Sequence, residues 1–289
     1  MKFRRADIGR FLYWSDRAIA SHAEHNGVQL DDRRQIAYAA GITKVASLTI
    51  DPSPVVTRNK LREVRSIFER LRPASITQGE VSELLAYGAG RVEFADFVVP
   101  GAINQGVVLY TRTRSYTGTR VDVCMFGSVD GLDGFISDGA HSSLGWTSSS
   151  ADLIVRMLQN RGNAVAGEMD DRAYCATEAL KIALYQGSTE LDDRIHEGRP
   201  ESRHFTLGRA DECEYMIEVF IDITLSDDQR MALSGEMALS QRIIVGRPLW
   251  VRTMNPRSVR RYQQSERASF RRRQRWAHRA VARLRSRRW

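Results

Sequence analysis

The sequence predicts an α+β fold: a mainly antiparallel sheet with packed helices, followed by a basic C-terminal helix or disordered arm. Three observations lead there. Alternating apolar and polar runs over 107–114 and 120–126 are joined by the short Gly-containing stretch Ser115–Thr119, the pattern of a β-hairpin. Amphipathic helical stretches interrupt such runs without strict βαβ alternation. No proline- or serine-rich linker divides residues 1–255, which therefore read as a single domain, with 256–289 as an Arg-rich C-terminal arm.

The elements follow in chain order. Arg10–Trp14 reads as a short strand, and Ser15 or Asp16 caps a helix that runs to about His25 and stops at Asn26-Gly27. A short helix over 31–40 and a buried β-branched strand over 45–50 come next. Thr57 opens the clearest helix: Leu61, Val64, Phe68 and Leu71 share one face, and Pro73 ends it. The stretch 79–87 reads as a short helix and 91–99 as a strand. After the hairpin, 127–147 is a Gly-, Ser- and Asp-rich loop. Ser148 or Ser149 then caps a helix to about Asn160, and a second helix spans 169–185. A polar loop over 188–203 precedes a short strand over 204–208. Ile217, Val219, Ile221 and Ile223 alternate with polar neighbours and mark the strand 215–224. Ser226-Asp227-Asp228 caps a short helix. The strand 242–252 carries Pro248, which requires an edge or a bulge.

Charge separates body from arm. Residues 256–289 hold 13 Arg and a single Glu, a net charge of +12, whereas the first 255 residues carry −4 of the total of +8. Only four Lys accompany 39 Arg, a bias that bidentate phosphate or carboxylate recognition and GC-rich codon usage both favour. Cys124, Cys175 and Cys213 are odd in number and form no CxxC, which argues against a disulfide framework and a Cys-based zinc site and for a reducing, cytoplasmic compartment. No apolar run reaches the roughly 18 residues of a transmembrane span, and the basic start at Met1 lacks a following apolar region.

Several constellations carry possible chemistry. Gly145-Trp146-Thr147-Ser148-Ser149-Ser150 feeds a helix whose first amides lack internal partners. Gly145, Thr147, Ser148, Ser149 and Ser150 are thus a candidate ligand-binding loop for a phosphate-bearing molecule. Ser128, His141 and the nearby Asp130, Asp133 and Asp138 supply the residue types of nucleophilic hydrolysis but no GxSxG elbow. His22 and His25 are three apart on a helix, without the HExxH order or a third ligand, and read as surface histidines; no metal site is expected. In the arm, Arg271, Arg272, Arg273 and Arg275 neutralise phosphates, and Trp276 can stack on a base, so a nucleic acid or another polyanion is the expected partner of residues 256–289.

Two resemblances follow from these motifs. Arg112, Ser149 within Thr147-Ser148-Ser149, and Glu214 within Glu212-Cys213-Glu214 resemble in order the Arg, Ser-Thr-Ser and Glu-x-Glu motifs of arginine-type ADP-ribosyltransferases. That resemblance implies NAD as cofactor, Arg112 as its clamp, Ser149 ordering the site and Glu214 as the catalytic carboxylate. Thr147-Ser148-Ser149 departs from Ser-Thr-Ser. Separately, Leu12-Tyr13-Trp14-Ser15-Asp16, Phe126-Gly127-Ser128, Gly145–Ser150 and Val245–Val251 resemble in order a family of cytoplasmic proteins from GC-rich bacteria. It implies a bacterial cytoplasmic protein with one domain before the arm, and no transferable activity. The expectation is a cofactor-free binding or regulatory protein with a ligand-binding body and a polyanion-binding arm. The alternative is an ADP-ribosyltransferase-like enzyme acting on a nucleotide-type substrate.

Overall fold

The computed structural model of the chain describes residues 9–28, 54–79, 84–98, 105–133, 151–159, 170–185 and 207–261. The elements are β1 (Arg10–Trp14), α1 (Asp16–His25), α2 (Pro54–Leu71), β2 (Ala74–Ser75), β3 (Leu85–Val98), β4 (Gln105–Arg114), β5 (Arg120–Ser128), α3 (Ala151–Gln159), α4 (Asp171–Tyr185), β6 (Gly208–Thr224), α5 (Asp227–Met231), β7 (Arg242–Thr253) and β8 (Arg260–Arg261).

Local chemistry sets several boundaries. The Ser15 hydroxyl accepts from the Ala18 amide at 3.3 Å and starts α1, and the Asn26 side chain donates to the His22 carbonyl at 2.8 Å as α1 ends. In the β4–β5 hairpin the Ser115 amide donates to the Thr119 carbonyl at 2.9 Å, and Gly118 takes the left-handed φ of +86° that the turn needs. Ser226 and Gln229 form a reciprocal capping box on α5.

The expected α+β layer of sheet and helices is corrected by the strand pairing. Strands β3, β4 and β5 form an antiparallel meander, and β6 returns to pair antiparallel with β3, which makes a Greek key. Strand β7 then pairs antiparallel with β6 and parallel with β5, so the sheet closes into a five-stranded barrel. Three further strands attach to it: β1 to β7, β2 to β3 and β8 to β6. Closure rests on long strands that serve two neighbours. Strand β6 has 17 residues and β3 has 14. Register shifts between Gly90 and Val92, and between Val219 and Ile221, bend them around the barrel. The short helix expected at 79–87 is corrected as well, because Leu85–Tyr87 begin β3 and pair with β6. Pro248 lies beside a register shift in β7, as its missing N–H requires.

Alternate residues of the barrel strands fill its interior, among them Phe94, Leu109, Met125, Tyr215 and Val251. Outside, α3 and α4 cover one face over Val108, Tyr110, Phe126 and Val245. On another face, α1 and α2 pack with Phe11, Trp14, Leu249 and Trp250. Three of the resembling blocks, Leu12–Asp16, Phe126–Ser128 and Val245–Val251, meet in this framework, and Gly145–Ser150 lies outside the described residues. Trp14 pairs with Trp250, and Gly127 leaves room for the buried ring of Tyr13.

Candidate functional site

Two polar regions of the surface carry possible binding chemistry. The first is the edge where β8 joins β6. After β7, the Thr253 and Ser258 hydroxyls both donate to the Asp211 carbonyl, at 3.1 and 2.9 Å, and the Met254 amide donates to the Glu212 carbonyl at 3.0 Å. These bonds fold residues 253–261 back onto β6, so the first residues of the arm are built into the barrel wall. The register sets Arg209 directly opposite Arg260 on one side and Glu93 on the other. Facing residues of an antiparallel pair share a face about 5 Å apart, so Arg209 is repelled by Arg260 and attracted by Glu93. The Arg209 Nε is buried and has no hydrogen-bond partner among the described residues. Arg257, Arg260 and Arg261 are exposed beside it.

The second region is a cleft of about 550 Å³ between β6, α3 and Leu84. Glu218 lines it from β6. His22 Nε2 lies 3.0 Å from Glu218 Oε2, and the Arg247 Nε donates to the same oxygen. Burial raises the Glu218 carboxyl, but the His22 bond and the Arg247 charge outweigh it and hold the group below the usual carboxylate range. His22 is buried against Glu218, which corrects its reading as a surface histidine. His25 donates to the Ser21 carbonyl within its own helix.

The sequence-predicted residues distribute as follows. Arg112 lies on β4, where its Nε sits 3.1 Å from both the Tyr110 hydroxyl and Asp122 Oδ1, and its Nη2 donates to Glu236. Tyr110 also donates to Asp122, and Arg120 Nε reaches the same carboxylate at 2.9 Å. Burial penalises the Asp122 charge, yet the two arginines and Tyr110 hold its carboxyl below the usual range. This network ties the β4–β5 hairpin to the segment between α5 and β7. Glu214 lies on β6, opposite Ala89 of β3 and Arg252 of β7, so β3 runs between it and Arg112. Ser149, with Gly145, Thr147, Ser148 and Ser150, lies outside the described residues, as do His141, Arg271, Arg272, Arg273, Arg275 and Trp276. Ser128 caps a 3₁₀ turn over Val129–Gly131 and bonds to Asp130. Among the described residues no group of three His, Cys, Asp or Glu is placed to hold a metal, and no helix is long and apolar enough to cross a membrane.

Sequence reasoning passed over Glu218 and Arg209. Glu218 is legible as a charge inside an apolar strand. The Arg209–Arg260 pairing joins residues 51 positions apart in the chain and needs the register. No family model, curated protein or solved structure matches the chain.

Proposed function

We propose that the chain is a cytoplasmic nucleic-acid-binding protein. It seats phosphates on the edge formed by Arg209, Arg257, Arg260 and Arg261 and extends its grip through Arg271, Arg272, Arg273, Arg275 and Trp276. The observation that carries this reading is the Arg209–Arg260 row, where a buried guanidinium nitrogen without a partner faces a second arginine. A phosphate oxygen on the exposed Arg260 guanidinium pairs with it and offsets its repulsion with Arg209. Small Greek-key barrels bind oligonucleotides on an outer strand face. Here the β4–β5 outer face lies under α4, and β8 is a terminal strand with β6 as its one partner among the described residues. Buried, unpaired Cys124, Cys175 and Cys213 suit a reducing compartment. We prefer this reading to an ADP-ribosyltransferase-like enzyme using NAD, because Asp122 and Glu236 already hold the Arg112 guanidinium that would clamp the dinucleotide.

Fluorescence anisotropy with labelled duplex and single-stranded DNA tests the proposal. Replacing Arg209 and Arg260 by Gln should lower affinity and reduce the slope of log K against log salt by about 0.7–0.9 for each phosphate that is no longer neutralised. Deleting 262–289 should weaken binding further. Unchanged binding in both variants, or binding to anionic vesicles without binding to DNA, would overturn it.

A further inference from the structure

We propose that the cleft beside Glu218 binds a free α-amino acid with an apolar side chain. This site is separate from the phosphate-binding edge and does not rest on it. Side chains of a strand ordinarily alternate between its two faces. Glu218, Val219 and Phe220 of β6 nevertheless all line the cleft, beside the register shift between Val219 and Ile221. The Val219 amide donates to the Leu84 carbonyl at 2.8 Å and fixes Leu84 to the strand as a second wall. Helix α3 supplies the third. At about 550 Å³ the cleft is of the size that small-molecule sites occupy, roughly 300–1,000 Å³. Leu84 is 60% exposed, and Val155 and Phe220 are only partly buried, so apolar surface is left open to an alkyl group.

The polar lining holds one charge of each sign. Both bonds to Glu218, from His22 and Arg247, fall on Oε2. Oε1 takes no partner among the described residues and is open to an N–H donor. Those two bonds hold the carboxylate in place before a ligand arrives. On α3, Arg156 lines the same cleft, and its side chain pairs neither with Glu218 nor with any other acid among the described residues. Opposite charges that share a cleft without meeting are complementary to a molecule that carries both. An α-amino acid does so on a single carbon. Its ammonium donates to Glu218 Oε1, its carboxylate meets the Arg156 fork, and its side chain lies against Leu84, Val155 and Phe220. A longer peptide would separate the two charged ends, so the free amino acid is the form that suits the site.

Isothermal titration calorimetry of the full chain with L-leucine, L-valine and L-methionine tests this. At least one should bind saturably. Its affinity should exceed by at least about tenfold that of its amide, which lacks the carboxylate, and that of its N-acetyl derivative, which lacks the ammonium. Arg156→Gln should remove the preference over the amide and keep the preference over the N-acetyl derivative. Gln159→Trp should block the cleft. Both positions are exposed on α3, so the fold is retained. Equal affinity for the amino acid and either derivative, or unchanged binding in either variant, would overturn the proposal, as would the absence of saturable binding by all three. None of these results bears on DNA binding at the β8 edge, which Arg156→Gln leaves intact.

Discussion

Asp222 takes two hydrogen bonds from Arg242, at 2.8 and 2.6 Å, and the remaining Arg242 nitrogen donates to the Ile76 carbonyl at 3.0 Å. Arg242 is 3% exposed, so its charge cannot turn to water. Asp222→Ala strands that charge and should cost about 3–5 kcal/mol in urea unfolding. Replacing both partners by apolar residues of similar volume should cost far less, because no buried charge remains. Glu218 behaves differently because it titrates. Its folded carboxyl lies below the unfolded value, so the folded state binds fewer protons. The stabilisation is present above the ordinary carboxylate value of about 4.3 and disappears as the pH falls through the folded value. Glu218→Gln should therefore flatten the loss of stability on acidification in pH-dependent denaturation. A profile as steep as that of the parent chain would contradict this linkage.

Strand β1 is held to the barrel by shape as well as by hydrogen bonds. A Cβ on Gly127 would overlap the Tyr13 hydroxyl and come within 2.8 Å of its ring carbon Cζ, and Tyr13 is 2% exposed. Gly127→Ala should thus destabilise the protein by about 1–3 kcal/mol. Adding Tyr13→Phe should recover part of that loss, since it removes the atom nearest the new methyl. Additive losses in thermal unfolding of the double variant would show that the two do not touch. The elements themselves were largely readable. Ser15 marks the start of α1, Gly118 the β4–β5 turn, and the alternation around Ile217–Ile223 marks the core of β6. The exceptions have physical causes. Leu85–Tyr87 lie in a stretch of helix-compatible composition, and their strand state comes from pairing with Met216–Glu218. The 17 residues of β6 exceed an ordinary strand, because a register shift lets one strand line two parts of the barrel.

Across the whole molecule, the cysteines report on barrel integrity. Cys124 and Cys213 point into packed regions, and burial pushes the Cys213 thiol up to about 12. Cys175 is buried on α4, with its thiol also raised by burial. A thiol reagent should label none of the three in the native state and all of them once denaturant unfolds the barrel. Labelling of Cys213 ahead of the other two would mean that the barrel opens locally. Charge is also organised at this scale. The sequence alone separates a body of −4 from a tail of +12. The docking of β8 on β6 brings the first part of that tail, residues 256–261 with Arg257, Arg260 and Arg261, onto the barrel.

Composition and local pattern by themselves marked most of the barrel strands, the main helices and the charge split between residues 1–255 and 256–289. Each depends on neighbours a few residues apart or on simple counts. The tertiary structure alone decided that the sheet closes, that Glu218 stands between His22 and Arg247, and that Arg209 faces Arg260. Those outcomes depend on which strands pair and in what register. A shift of one residue turns every side chain to the opposite face, and no short-range pattern in the chain specifies partners 29, 51 or 196 residues apart.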